Sequence, residues 1–184
     1  MPGFILTGTP GAGKTAILRQ LEVNGHTVVE EAATDVIALH HALGSPEPWR
    51  SPAFLDRIVA LQRSRQLAAA RLGGTTFFDR SPVCTLALSR YAELEPPRSL
   101  VDELDRMTAG RAYEQTVFFV RNQGSVQPTA ARRISFADAL RFERIHESTY
   151  RERGFVIVEV PAGPLPDRVA LVERTAGARS AAPG

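Results

Sequence analysis

Gly8-Thr9-Pro10-Gly11-Ala12-Gly13-Lys14-Thr15 follows a short apolar run, Phe4-Ile5-Leu6, and fits the pattern Gly, any four residues, Gly-Lys-Ser/Thr. The order is strand, glycine loop, helix, and each part has a physical task. Glycines let the chain turn so sharply that successive N–H groups converge as an anion nest. The helix that starts near Gly13 adds the positive end of its dipole. Lys14 is the only lysine in the chain, and it is placed to reach β- and γ-phosphates, while the Thr15 hydroxyl is placed to ligate Mg²⁺. The residues assigned to nucleotide contact are Gly8, Pro10, Gly11, Ala12, Gly13, Lys14, Thr15 and Ala16. A glycine turn that binds nothing has no use for the lysine.

Composition sets the outer bounds. The chain has 184 residues, 43% hydrophobic and 23% charged, which fits one globular core. A single domain is expected over residues 1–176, with a disordered Ala/Gly/Ser/Pro tail over 177–184. Net charge is +2 and the pI about 9.1. The arginines are scattered rather than clustered, so a nucleic-acid surface is not indicated. Cys84 is the single cysteine; no intrachain disulfide can form, which suits a reducing compartment, and Cys84 reads as a small buried residue. No apolar run approaches about 18 residues, so no membrane span is expected. Met1-Pro2-Gly3 leads straight into a strand with no signal peptide, and the expected location is cytoplasmic.

Strands are expected at 3–7, 26–29, 75–79, 116–120 and 154–160. Helices are expected at 14–23, 32–43, 53–72, 83–93, 98–110, 135–151 and 165–176. Pro46, Pro48 and Pro52 mark a loop over 44–52 that carries Trp49, which either covers a ligand or packs on its own domain. His40 and His41 are neighbours on a helix and make a poor metal pair; both read as surface or core-edge residues. His146 reads as a surface residue of the sixth helix.

Two charged sites stand where an open α/β sheet places its ligands, at the carboxyl ends of strands, and a third opens a helix. Glu30-Glu31 ends the second strand, and either contacts substrate or metal or merely complements a helix dipole. Asp79 ends the third, where a carboxylate can hold Mg²⁺ or activate the attacking group. Arg80 follows, either on a phosphoryl group or paired with Glu30, Glu31 or Asp79. Arg132-Arg133 adjoin the polar stretch 121–129 and open a helix, where positive charge is unfavourable with the dipole; closure over a triphosphate is the reading that gives that charge a purpose.

The chain resembles the P-loop kinase branch of the AAA-type ATPase-domain families, the group that contains bacterial ribosylnicotinamide-kinase-like domains. The resemblance is carried by Gly8 to Thr15, by Val28-Val29-Glu30-Glu31-Ala32, by Phe77-Phe78-Asp79-Arg80-Ser81-Pro82, and by Arg132-Arg133-Ile134-Ser135-Phe136 followed by Gly154 to Pro161. It implies an α/β P-loop NTPase fold: a five-stranded parallel sheet in the kinase-type order, sandwiched by helices, with Arg132 and Arg133 in a lid. It also implies that Glu31 (or Glu30) takes a proton from the substrate hydroxyl and that Asp79-Arg80 binds metal and phosphate. The segment Arg121-Asn122-Gln123-Gly124-Ser125 departs from the family's apolar, proline-containing character, and Arg80 stands where AAA machines carry a second acid.

The expected function is an ATP-dependent (or GTP-dependent) phosphotransferase using Mg²⁺. Lys14, Glu31, Asp79, Arg80, Arg132 and Arg133 are its catalytic residues, Thr15 and Asp79 its metal ligands, and a small hydroxyl-bearing molecule its acceptor. The alternative is a nucleotide-dependent ATPase or GTPase switch with a protein or lipid partner, which needs the same loop but no acceptor pocket.

Overall fold

Phe4, Ile5 and Leu6 have no exposed surface, and the sheet is built around them. The computed structural model describes residues 3–8, 11–122 and 136–180. Five strands pair, all in parallel: β1 (Gly3–Thr7), β2 (Thr27–Val29), β3 (Thr76–Asp79), β4 (Thr116–Val120) and β5 (Val156–Val160). Their order is β2-β3-β1-β4-β5, the expected kinase-type order. The helices are α1 (Lys14–Val23), α2 (Ala32–Ala42), α3 (Phe54–Ala69), α4 (Pro82–Tyr91), α5 (Arg98–Ala109), α6 (Phe136–Glu152) and α7 (Leu165–Ser180). Among the described residues no helix is long and apolar enough to cross a membrane.

A parallel strand at the centre of a sheet is covered on both faces and so reads as a continuous apolar run. Strand alternation sorts that run between two cores. Phe4 and Leu6 join Phe77, Phe118 and Val120 under α1 and α7, with Ile17, Leu21 and Val172. Ile5 joins Phe78 and Val117 under α4, α5 and α6, with Val83, Leu104 and Tyr150. On the first face Phe4 sits between Phe77 and Phe118, ring centroids 5.9 and 5.8 Å away. These aromatic contacts pin the register of the three central strands. A third cluster, with Val36, Phe54 and Ile58, joins α2 to α3.

The helices place the site. From β1 the chain passes into α1 on one face; from the neighbouring β3 it passes into α4 on the other. The crevice at the carboxyl ends of β1 and β3 is therefore a topological switch point, where α/β sheets bind ligands. Both the glycine loop and Asp79-Arg80 emerge there.

Several boundaries shift from the sequence reading. Gly73 and Gly74 both have positive φ, 85° and 75°, and α3 stops at Ala69 ahead of that turn. The loop over 44–52 contains a 3₁₀ turn, Pro48–Arg50. α7 continues past residue 176 to Ser180, so the expected disordered tail is helical over its first residues.

Candidate active site

Thr7 ends β1 with no exposed surface, and the chain then turns through Gly8 at φ 130°. A Cβ on Gly8 would lie 2.2 Å from the Val120 carbonyl oxygen. The loop thus presses against the end of β4 with room for hydrogen only. Gly8→Ala is expected to lower stability by more than about 2 kcal/mol, since the backbone clash adds to the cost of positive φ. Denaturant unfolding checks this, and a wild-type midpoint would contradict the close approach.

Gly11 and Gly13 also have positive φ, 82° and 84°. Gly13 caps α1 in the left-handed conformation with no side-chain hydrogen bond, so no side chain competes there for the first N–H groups of the helix. Ala12 is buried, while Thr15 and Ala16 are exposed at the first turn. Lys14 is 7% exposed, and its Nζ donates to the Gly8 carbonyl at 3.1 Å, bridging the two ends of the loop. Burial first, and then the Arg80 charge, lower its pKa from 10.5 to about 8. Pro10 lies outside the described residues, as do Arg132 and Arg133 and with them the expected lid.

Across the crevice stand Glu31, Asp79 and Arg80. Glu31 is the N-cap residue of α2. Its Oε1 pairs with Arg80 Nε at 2.6 Å, and its Oε2 accepts from the Thr34 hydroxyl at 2.7 Å. Glu30 points elsewhere, into an exposed pair with Arg19. The two glutamates that the sequence left equivalent are thus separated: Glu31 belongs to the crevice, Glu30 to the surface ion pair at its rim. Of the two sequence readings of Arg80, the salt bridge is present in this structure, with Glu31 as partner.

Arg80 carries backbone strain as well. Its φ is 72°, costing roughly 1–3 kcal/mol for a non-glycine residue. Its N–H donates to the Leu6 carbonyl at 3.0 Å, which ties the turn to β1. Burial opposes its charge, but Glu31, Cys84 and Asp79 more than offset that, and its pKa is raised.

Behind Arg80 lies His146 on α6, 1% exposed. The expected surface position is corrected here: α6 turns this residue inward, one helical turn before Tyr150, against α4. His146 Nδ1 is 3.0 Å from the Phe142 carbonyl. A carbonyl only accepts, so Nδ1 carries the proton and Nε2 accepts from Arg80 at 3.4 Å. Burial, then Arg80, push the imidazole pKa down to about 3, so it is a neutral acceptor at ordinary pH.

A buried polar chain continues beneath. Thr7 Oγ1 lies 3.2 Å from Cys84 Sγ, which lies 3.0 Å from the Tyr150 hydroxyl; that hydroxyl is 2.8 Å from Ser81 Oγ. Ser81 Oγ accepts from the Val83 N–H and caps α4. The end of β1, the turn after β3 and α6 are joined through these four side chains. Cys84 is buried, as the sequence indicates, and belongs to this chain of contacts. Ser81 stands in the Asp79-Arg80-Ser81 stretch that carries part of the resemblance, but His146 and Tyr150 were not recognised in the sequence as part of the site; the only available sign was two polar residues at i, i+4 on α6.

An open cleft of about 230 Å³ is lined by Thr15, Glu30, Glu31, Thr34, Asp35 and Asp79, among others. The Thr15 hydroxyl and the Asp79 carboxylate are hard oxygen donors, and they suit Mg²⁺, which keeps several waters and takes few protein ligands. His40 is buried beside Arg57, and His41 is exposed. Trp49 is 48% exposed in its 3₁₀ turn and is not among the residues lining this cleft.

The sequence profile of a family described as AAA domain matches residues 3–168. No curated protein sequence matches the chain. Among solved structures it is similar to deoxyadenosine kinase from M. mycoides with the products dCMP and a flexible dCDP bound. That likeness has a TM-score of 0.61 and 14% identity, covering 96% of this chain and 99% of that one. The same kinase with bound dATP gives a TM-score of 0.56 and 14% identity, covering 95% and 99%. At this identity the likeness establishes the fold, that of a P-loop kinase.

Proposed function

We propose that this protein, which belongs to the AAA domain family, is a phosphotransferase that moves the γ-phosphoryl group of ATP, or of GTP, to a hydroxyl of a small molecule. The observation that carries the reading is the Glu31–Arg80 pair, set at one switch-point crevice with Asp79, Lys14 and Thr15. A phosphate loop alone serves many ends; a loop faced across an open cleft by a half-buried carboxylate held on a buried guanidinium suits acceptor chemistry.

The N–H groups of the loop up to Thr15 hold the phosphates, and Lys14 spans β and γ. The acceptor oxygen bonds to the γ-phosphorus as the β–γ bridging P–O bond breaks, and ADP leaves with that oxygen. The hydroxyl proton passes to the Glu31 carboxylate, which Arg80 and Thr34 hold in place. Arg80 also faces the charge spread over the transferring group, with Arg132 and Arg133 proposed to join it. Thr15 and Asp79 would hold Mg²⁺, which neutralises phosphate charge when bound. This is catalysis by positioning and electrostatics.

The likeness to a deoxyadenosine kinase puts nucleosides first among acceptors. Charge narrows the choice further. Glu30, Glu31, Asp35 and Asp79 line the cleft, while Arg19 is engaged by Glu22 and Glu30, and Arg65 by Asp35. A neutral acceptor fits; a phosphorylated one meets like charge. Steady-state assays with nucleosides and their 5′-monophosphates test this. Nucleosides are expected to give kcat/KM at least about tenfold higher, and the reverse order would count against the assigned acceptor side.

A pH prediction follows from Lys14. Its pKa in the nucleotide-free protein is about 8, and bound phosphates favour its charged form. Nucleotide binding at pH 9 should therefore draw in a proton, and affinity should fall as pH rises through about 8. Calorimetry in buffers of different ionisation enthalpy reads the proton directly; the uptake should vanish at pH 6.5, where Lys14 is already charged.

A further inference from the structure

Arg168, on the first turns of α7, points into the protein rather than away from it. It is 3% exposed, and its guanidinium donates to the Ala12 carbonyl oxygen at 2.7 Å, across 156 positions of sequence. Its Nε is buried without a hydrogen-bond partner among the described residues, and none of its described neighbours is a carboxylate paired with it. Among the described residues this buried charge has no counter-ion, a state a fold tolerates poorly. Burial alone lowers its pKa.

The carbonyl it holds belongs to the glycine loop. A trans peptide is planar, so the Ala12 C=O and the Gly13 N–H point in opposite directions. Drawing the carbonyl toward α7 turns the Gly13 N–H to the other side, at the start of α1. The charge-assisted bond also polarises that peptide, making its N–H a better anion donor. Arg168 thus acts in two ways at once: it aims one donor of the nest, and it places a buried positive charge behind it.

We propose that Arg168 is a positioning residue for the donor nucleotide, acting on the phosphates through the Ala12–Gly13 peptide, with the bound phosphates as the anion its charge lacks. The inference rests on the reading of this loop as a nucleotide site, though not on which acceptor is used.

The test is calorimetric binding of Mg-ADP and of inorganic tripolyphosphate to the full chain, with Arg168→Met, Arg168→Lys and Arg168→Gln, alongside melting of the nucleotide-free proteins. Arg168→Met should weaken both ligands by about tenfold or more, while Arg168→Lys, which keeps a charged donor, should stay within about threefold of wild type. Melting of the nucleotide-free Met variant should move by less than about 3 °C, because the lost hydrogen bond is offset by removal of an unpaired buried charge. A merely structural arginine would give the opposite pattern, a lower melting point with unchanged affinity, and that result overturns the proposal. Should Arg168→Met not fold, Lys and Gln carry the comparison: Gln is expected to bind about tenfold more weakly than Lys, and equal affinities overturn it. Wild-type protein that binds neither ligand removes this inference and the nucleotide reading together. Wild-type protein that binds both but transfers no phosphoryl group removes only the kinase reading.

Discussion

Lys14→Ala is expected to lower turnover by at least about a hundredfold while the protein still unfolds cooperatively. No other lysine exists in the chain to substitute for it. The arginines near the site are each fixed by their own partners, Arg80 by Glu31 and His146 and Arg168 by the Ala12 carbonyl, so neither is free to move into the place of the lysine. The effect on stability has a different sign from the effect on activity. Lys14 is held at a pKa of about 8 in the fold against 10.5 as its ordinary value, so its charged form is disfavoured by folding, by a few kcal/mol at most. The unfolded chain binds the proton more tightly between about pH 8 and 10.5, and stability of the nucleotide-free wild type therefore rises with pH across that window. Removing the lysine at pH 7 relieves this cost and loses one hydrogen bond to Gly8, so the melting point should hold or rise. Assay and thermal melting side by side read both signs. Turnover that survives the substitution contradicts the assignment of the loop.

Glu31→Gln separates chemistry from binding. The amide keeps one acceptor oxygen, for Arg80, and its NH₂ group can donate to the Thr34 hydroxyl in place of the bond Glu31 accepts there, but it cannot take a proton. Loss of a positioned base costs about 10²–10⁴-fold in kcat, whereas the affinity for Mg-ADP should stay within about threefold, because the phosphates are held on the far side of the crevice. Stability should fall by roughly 1–3 kcal/mol, since Arg80 is left buried with a weaker partner. Glu30→Gln is the internal control: its carboxylate is 54% exposed and paired with Arg19, and the change should leave kcat within about twofold, as exposed pairs contribute little. If Glu30→Gln were the damaging change and Glu31→Gln the mild one, the roles assigned here would be exchanged.

Much of this arrangement was legible in the chain, and the division is physical. The glycine loop is a local device: its turn, its dipole and its lysine lie within eight consecutive residues, so sequence order is spatial order. β1, β4 and most helix limits were legible for the same reason, because periodicity and glycine stops act over short ranges. Asp79 was legible from its place at the end of an apolar strand. What needed the fold was pairing. The sequence offered Arg80 three acids, and only the parallel alignment of β2 beside β3 brings Glu31 to it. His146 meets Arg80 from 66 positions away, and a lone histidine on a mostly polar helix does not reveal which face it takes. Arg168 was one scattered arginine among many until α7 packed against α1. The residues proposed for the lid, Arg132 and Arg133, lie outside the described residues, and their role rests on sequence alone.

The central claim is that the γ-phosphoryl group goes to a hydroxyl rather than to water. Incubating the protein with Mg²⁺ and γ-³²P-labelled ATP, with and without pooled nucleosides, and separating the products tests it most directly. The account predicts label on an acceptor, formed with a turnover in the range of about 1–100 s⁻¹ typical of kinases and lost in Glu31→Gln. Label found only in inorganic phosphate, released slowly and at the same rate with every pool, would contradict it and favour a nucleotide-dependent switch.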